Sequence, residues 1–463
     1  MMLKGHATID LHDTVRGTYK RFEKDNLVTN AYKYHLQSTI LMNCENNAFN
    51  MTGENGALSI AGVTLGGLLL FDGALTENAE NIHYPGDVHI VGYSDQTTDL
   101  SNPRRGSYNT LESGKTGSGY THVWDFSTAQ GNGIIGALSL TNIKAGADPI
   151  GNCINRSLSG STTSRMQYQY HDGVYGYYFS ISGSSAKIEK YFQPQSAISV
   201  HTNNLAGDGL KATYTVDMSE DENAILETAF WQYAGNGDFY GAIVLADNSD
   251  EHEALSVRVA KIHTDDWATF TYTPAEDIEL DGVTGRRTYH MSGSTKYIDA
   301  NPPVISGHHV YIPCYQHDAS GRATKIYIAD LNNPSNIIET TDTIAIYTGV
   351  SSSSAYHNDY RCDYPGPSGT ADFWEDSGTQ KKRIRIYPDG TVMKAINASP
   401  IMAMRGYASK NAPINAHWSR STGSNWGVYV QTGYLGTICN LTSPIEKTAA
   451  QTMKVTYTLT DVL

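Results

Sequence analysis

From about residue 120 to its end the chain alternates apolar and polar residues with a period of two, which calls for strands and excludes long packed helices. The last stretch is the clearest case: Met453, Val455, Tyr457 and Leu459 alternate with Lys454, Thr456 and Thr458. Turn residues interrupt the pattern and predict strand pairs. Val123–Phe126 is expected to turn at Gly131-Asn132-Gly133 into Ile134–Leu140, and Val174–Ile181 at Ser182-Gly183-Ser184 into Ala186–Phe192. Phe239–Ala246 returns through Leu255–Ile262, with a further strand at Ala268–Tyr272. Val310–Tyr315 pairs through Ser320-Gly321 with Ala323–Ala329, and Ile384–Tyr387 through Pro388-Asp389-Gly390 with Thr391–Ala395. Val428–Val430 leads to Leu435–Cys439. These units recur at roughly 40–65 residues, the spacing of four-stranded propeller blades with long loops. The expected fold is mainly all-β: a β-propeller-like C-terminal region of about six blades. A β-sandwich with large insertions is the rival.

The first 118 residues read differently. Ala7, Ile9 and Leu11 alternate with Thr8 and Asp10 as a half-buried strand, and Thr18–Glu23 returns as a second. From Thr29 or Asn30, which can cap a helix, Ala31, Tyr34, Ile40 and Leu41 lie near a 3.6 period. Gly66–Phe71 is a buried strand, and residues 76–120 are polar and rich in turns. Two domains follow: residues 1–118, a small β-rich module with one helix, and residues 119–463, the propeller-like region. A propeller needs its last blade sealed, because open edges invite unwanted pairing. Met453–Leu459 is the expected closing strand, with Ala7–Leu11 as one partner.

Composition narrows the function. Only 17% of the 463 residues are charged, while Gly (43) and Tyr (31) are abundant, a mixture that favours short strands, turns and adhesive surfaces. The net charge of −14 and the lack of a basic stripe argue against nucleic-acid binding. Lys381-Lys382-Arg383 reads as a solvated strand end. The five cysteines are widely spaced with no CxxC, as expected of free thiols in a reducing cytoplasm. No apolar signal region opens the chain, and its most apolar stretch, Ala57–Phe71, is shorter than the roughly 20 residues a membrane helix needs. No membrane insertion is expected.

The chemical motifs dissolve on inspection. Gly131-Asn132-Gly133-Ile134-Ile135-Gly136 fits GxGxxG, but an alternating strand follows it where a nucleotide site requires a helix. His308, His309, Cys314 and His317 are too spread along a strand to meet on one zinc ion. The acidic clusters Asp217/Glu220/Asp221/Glu222 and Asp247/Asp250/Glu251/Glu253 lack calcium-loop spacing and read as solvated loops, a weak Ca²⁺ site being the alternative. No catalytic residue, metal or cofactor is expected, and no glycosidase carboxylate pair can be singled out.

A binding surface is the better expectation. Ser351–Asp376 holds Tyr356, His357, Asp359, Tyr360, Arg361, Asp363, Tyr364 and Trp374 among Ser, Gly and Pro. Aromatic faces that stack on sugar rings, with carboxylates for the hydroxyls, suit a glycan, and a loop of this length is usually functional or disordered. A second candidate groups His417, Trp418, Trp426, Tyr429 and Tyr434.

Three segments resemble tail-fibre and baseplate structural proteins from phages and prophages of Gram-positive bacteria. They are Lys4–Leu11 with Glu23–Ala31, Trp124–Asn142, and Lys447–Leu459. The resemblance covers roughly a sixth of the chain and carries no catalytic residue. It implies a virion tail protein assembled in the host cytoplasm, in many copies, with a homotrimer as one arrangement. Its partners would be other tail or baseplate proteins and a host cell-surface glycan, displayed loops serving adsorption. Two other readings stay open: a tail-associated polysaccharide-degrading enzyme, and a scaffold with no receptor contact.

Overall fold

The computed structural model describes residues 2–31, 64–150, 153–156, 167–171, 175–192, 210–221, 230–245, 254–284, 289–292, 295–298, 303–314, 322–323, 325–344, 346–347, 361–362, 369–376, 381–398, 405–406, 408–409, 415–420, 426–431 and 434–462. It is all-β, as the alternation requires. Its contacts divide it into two units. The first comprises Met1–Ile154, Ala412–Ile414 and Thr432–Leu463; the second comprises Asn155–Asn411 and Asn415–Gln431. This division differs from a cut at residue 118: residues 119–154 and the last 32 fold with the N-terminus, and the propeller-like unit is an insertion between them.

The first unit opens with β1 (Met2–Asp13) and β2 (Thr18–Val28). Ala7, Ile9 and Leu11 of β1 are buried, while the residues between them are half-exposed. The turn joining the two strands is made by Asp13, whose carboxylate accepts the Val15 and Arg16 amides at 3.0 and 2.8 Å, and by Gly17 at φ 65°. The expected helix after Thr29 lies outside the described residues beyond Ala31. At its expected start, Thr29 Oγ1 accepts the Ala31 amide at 3.3 Å and donates to the Leu435 carbonyl at 2.6 Å. Then come β3 (Gly67–Phe71), buried throughout, β4 (Ile90–Ser94), β5 (Ser107–Tyr108), β6 (Gly114–Lys115), β7 (Gly119–Phe126) and β8 (Gly133–Thr141). A single helical turn, α1 (Ile143–Ala147), follows.

The expected hairpin between Val123–Phe126 and Ile134–Leu140 is corrected. β7 pairs with β5 and β6 and with the last strand of the chain, whereas β8 pairs with β3 and the penultimate strand. The glycines between β7 and β8 turn a corner. Gly131, at φ 60°, lies against the Phe126 ring, where a Cβ would come within 2.8 Å. A strand does follow Gly133, which removes the dinucleotide reading.

The second unit begins in β9 (Cys153–Arg156). One sheet takes β10 (Gln167–His171), β11 (Tyr175–Ser182), β12 (Ser185–Phe192) and β13 (Leu210–Asp217), each paired with the next. A second takes β14 (Phe230–Gly235), β15 (Asp238–Leu245), β16 (Ala254–His263) and β17 (Thr271–Thr284). Among the described residues, the hairpin β18 (Tyr289–Ser292) with β19 (Thr295–Ile298) forms a two-stranded sheet of its own. The third sheet holds β20 (Val304–Ser306), β21 (His309–Cys314), β23 (Lys325–Asp330) and β24 (Asn333–Glu339). The fourth holds β22 (Arg322–Ala323), β25 (Ile346–Tyr347), β27 (Ala371–Asp376), β28 (Lys381–Ile386) and β29 (Val392–Ala398), with β26 (Arg361–Cys362) beside β27. The fifth runs β30 (Arg405–Gly406), β32 (Asn415–Arg420), β33 (Trp426–Gln431), and then back to β9.

From the first to the fourth, each sheet packs on the next. Tyr177, Phe179 and Ile188 meet Trp231, Phe239 and Ile262 between the first and second. Ala242, Val257 and Ile278 meet Ile305, Val310 and Ile312 between the second and third. Tyr311, Ile326 and Ile328 meet Phe373, Ile384 and Ile386 between the third and fourth. β26 neighbours β30, and the short β31 (Ala408–Ser409) pairs in parallel with Tyr170 and His171 of the first sheet. The series thus returns on itself, the closure a propeller requires. Five sheets of four or more strands stand among the described residues of this unit, where about six were expected. The seal is β9, a strand from the beginning of the unit, added to the last sheet.

The chain then re-enters the first unit with β34 (Thr437–Lys447) and β35 (Gln451–Val462). Met453–Leu459 does pair with Ala7–Leu11, from Ala7 opposite Tyr457 to Leu11 opposite Met453, but it closes this unit and leaves the propeller-like series to β9. Val428–Val430 and Leu435–Cys439 accordingly do not pair: β33 joins β32 and β9, whereas β34 joins β8 and β2. The strand order is β4-β3-β8-β34-β2-β1-β35-β7-β5. Tyr93 of β4 bonds to Arg104 and Gly106, just before β5, at 3.0 and 2.9 Å, so the sheet nearly closes as a barrel. Its interior holds Leu68, Leu70, Trp124, Phe126, Leu138, Val455 and Tyr457.

Candidate functional site

Among the described residues of the second unit, Trp267 sits half-buried at the margin of a cluster of buried aromatic rings. Local chemistry explains its position. β14 and β15 are joined by Asn236 and Gly237, both in the left-handed region at φ 51° and 79°, as a two-residue type I′ hairpin demands. A side chain at 237 would strike the Thr264 carbonyl at 1.8 Å, and the Thr264 amide donates to the Gly237 carbonyl at 3.0 Å. The 264–270 loop is thereby strapped to the hairpin. Within it, the Trp267 amide donates to Thr264 Oγ1 at 2.9 Å, and the Asp266 carboxylate accepts the Ala268 and Thr269 amides at 2.8 and 2.7 Å. Those bonds hold Asp266 below the usual carboxylate range.

Trp267 itself sits at φ 56°. A bulky residue pays for that conformation, so the surroundings must enforce it. One face of the indole lies on Tyr170, with centroids 4.4 Å apart and planes 12° from parallel. Tyr177 is also 4.4 Å away, and Phe239 meets it edge-on at 5.9 Å. The ring stays half-buried while Asp265, Asp266, Ala268 and Thr269 around it are exposed.

Charges flank this platform. His263 bonds Asp238 through Nδ1 at 2.6 Å and Asp265 through Nε2 at 3.1 Å. The Asp238 bond raises the His263 pKa against some desolvation, which favours the imidazolium. Lys261 also reaches Asp238, at 2.9 Å, and lies 5.5 Å over the Tyr240 ring. Asp238 is therefore engaged by both Lys261 and His263. Lys190 sits 4.3 Å over Tyr175, so an internal cation already occupies that ring. The arrangement supplies an aromatic face with carboxylate acceptors beside it.

The residues singled out from sequence fall elsewhere. Tyr356, His357, Asp359, Tyr360 and Tyr364 lie outside the described residues, as do His317, Glu222 and the cluster Asp247–Glu253. Trp374 lies in β27 opposite Arg383. Trp418 and Trp426 lie in adjacent strands, Trp418 opposite Val428 and Trp426 opposite Arg420, which puts them at diagonal register positions. Tyr434 belongs to the first unit, buried with its hydroxyl donating to the Thr64 carbonyl at 2.5 Å. Asp221 accepts the Tyr272 hydroxyl and the Ala275 amide, a structural tie from the segment after β13 to β17 of the second sheet. Arg383 is corrected: it is fully buried, because both it and Arg385 bond Asp372 across β27 and β28.

Trp267 was missed because Ala268–Tyr272 reads as a strand. The strand begins only at Thr271. The usable signal was a tryptophan inside the polar run Asp265-Asp266-Trp267, between two alternating segments. Among the described residues, no group of three His, Cys, Asp or Glu could hold a metal ion, and no helix is long and apolar enough to cross a membrane.

No protein-family model matches the chain, and no curated protein matches it. Among solved structures, TolB from Acinetobacter baumannii is similar over 60% of this chain and 78% of its own, with 13% identity and a TM-score of 0.20. The AfRom2 CNH domain is similar over 67% and 90%, with 9% identity and a TM-score of 0.22. At those scores neither likeness says more than that each is a distant structural neighbour of an all-β chain with a propeller-like unit.

Proposed function

We propose that the chain is a structural protein of a bacteriophage tail or baseplate, whose inserted propeller-like unit carries contacts for the bacterial surface. The observation that carries the reading is topological. Both ends of the chain build one barrel, and the second unit is spliced between β8 and β34. An insertion of this kind lets the host module keep one attachment role while the inserted module varies its turns. The three segments that resemble phage tail proteins all fall in the barrel-forming unit, in β1, β2, β7, β8, β34 and β35. Attachment to other tail or baseplate proteins is accordingly assigned to the barrel. Surface recognition is assigned to the second unit, with Ser351–Asp376 and the Trp267 rim as its contacts.

Many copies on one particle would turn weak single contacts into firm adsorption. The reading needs no catalysis, nucleic-acid binding or cofactor. The test is adsorption. Purified chain added in excess is expected to compete with intact particles for host cells, to bind host wall polysaccharide without releasing sugar, and to be located at the tail tip by particle imaging. Release of reducing sugar would favour a depolymerising enzyme. Lack of competition with the chain located in the tail would favour a scaffold.

A further inference from the structure

We propose that the Trp267 rim is a carbohydrate subsite for uncharged glycan, with the indole as the stacking platform and Asp265 as a hydroxyl acceptor. This rests on the host-surface reading above and names the ligand class of one of its contacts. Three observations carry it.

The first is the backbone of Trp267. At φ 56° the position favours glycine or asparagine. The ring packs at the margin of the core around Tyr170, Tyr177, Tyr233 and Phe239 and stays half-buried, so the strained position also keeps part of the indole at the surface. The second is the geometry of that ring. Tyr170 stacks on it, Phe239 meets it nearly at right angles, and Tyr177 and Tyr233 approach it at tilted angles with centroids 4.4 and 5.8 Å away, while the indole keeps partial exposure and the loop on either side is exposed. The part of the indole left to solvent fits the flat C–H face of a pyranose. The nearby Tyr175 ring already holds an internal cation, Lys190, at 4.3 Å.

The third is charge. Asp265 is 93% exposed at its side chain and Asp266 lies next to the platform. Asp238, Asp265 and Asp266 outnumber Lys261 and His263 around the platform, and in a chain with net charge −14 they disfavour phosphate- or carboxylate-bearing polymers while Asp265 and Asp266 can accept hydrogen bonds from hydroxyls. His263 Nε2 bonds the Asp265 carboxylate at 3.1 Å and so fixes its direction. The rigid loop, strapped at Gly237 and Thr264, lowers the ordering cost of binding.

The test uses the full chain on an array of neutral oligosaccharides of hexoses, 6-deoxyhexoses and N-acetylhexosamines, with polyglycerol phosphate as the anionic arm. Hits are titrated in solution with the wild type, Trp267→Gly and Trp267→Tyr. Glycine removes the ring and suits the left-handed backbone, and near-ultraviolet circular dichroism checks the fold of each variant. The expected result is binding to a neutral glycan but not to polyglycerol phosphate, an affinity loss of about tenfold or more in Trp267→Gly, and a smaller loss in Trp267→Tyr. Asp265→Asn is expected to weaken the neutral ligand modestly and to admit polyglycerol phosphate. The proposal is overturned if folded Trp267→Gly binds as the wild type does, or if polyglycerol phosphate alone binds. Absence of any array binding by a chain that still competes for host cells overturns the proposal and leaves the host-surface reading standing. Absence of both overturns the two together.

Discussion

Acidification between pH 6.5 and 4 should destabilise the barrel through His122. This side chain is 1% exposed, faces the barrel interior beside Trp124 (centroids 5.3 Å apart), and meets the Tyr108 hydroxyl through Nδ1 at 3.2 Å. Burial pushes its pKa down to about 4. In the unfolded chain the group titrates near its ordinary value of about 6.5. Between those two values the unfolded state binds a proton that the native state refuses, so stability falls as pH falls. The window gives a loss of about 2 kcal/mol at pH 5 and about 3 kcal/mol at pH 4, relative to pH 7. Other histidines and carboxylates titrate in the same range, so the measurement is a difference. His122→Phe keeps a ring against Trp124 and cannot take up the proton. Urea unfolding of the wild type and the variant at pH 7 and pH 5, followed by tryptophan fluorescence, should show the variant losing about 2 kcal/mol less over that interval. Equal losses in both proteins would refute the buried neutral imidazole.

The opposite limb belongs to Lys447. It is 1% exposed, bonds only the neutral Ser127 carbonyl and Asn132 Oδ1 among the contacts described, each at 2.8 Å, and its pKa is lowered by burial to about 8. Its charged form is disfavoured by folding, so barrel stability should rise between pH 8 and 10, and Lys447→Met should abolish that rise in an unfolding titration. Asp372→Ala should cost about 3–5 kcal/mol in the second unit, because it leaves the buried Arg383 and Arg385 guanidinium groups without their shared carboxylate; calorimetry of that unit's transition checks it. Ending the chain at Ala450 removes buried Met453, Val455, Tyr457 and Leu459, worth roughly 6–12 kcal/mol, which is comparable to the whole stability of a domain. Limited proteolysis should then digest the barrel.

The fold class was legible because period two is a local property. Met453–Leu459 could be written down as a strand from its own residues, and Ala7–Leu11 was recognisable as a partner because both are half-buried and alternate in the same way. What local pattern does not carry is which neighbour a strand takes. Gly131-Asn132-Gly133 has hairpin composition, yet the strands it joins diverge to β35 and β3, because a barrel corner and a hairpin turn use the same left-handed glycine. Lys381-Lys382-Arg383 looked solvated because the acid that buries Arg383 is eleven residues away, across a strand pair. The unit boundary was hidden for the same reason: β7 and β8 read like the strands that follow, and only their pairing with β35 and β3 assigns them to the barrel. Of the candidate site, the aromatic and acidic composition was readable, but the stack of Trp267 on Tyr170 joins residues nearly a hundred positions apart.

The central structural claim is that the two ends of the chain form one sheet with the propeller-like unit inserted between them. Thr8 and Thr456 are direct cross-strand partners in β1 and β35, so replacing both with cysteine and oxidising the folded protein tests it. Intact mass is expected to fall by about 2 Da as the bond closes. Proteolysis should recover a peptide joining residues 8 and 456, with the thermal transition preserved or raised. Two free thiols at those positions in the folded chain, or a bond between either of them and a different cysteine, would contradict the account.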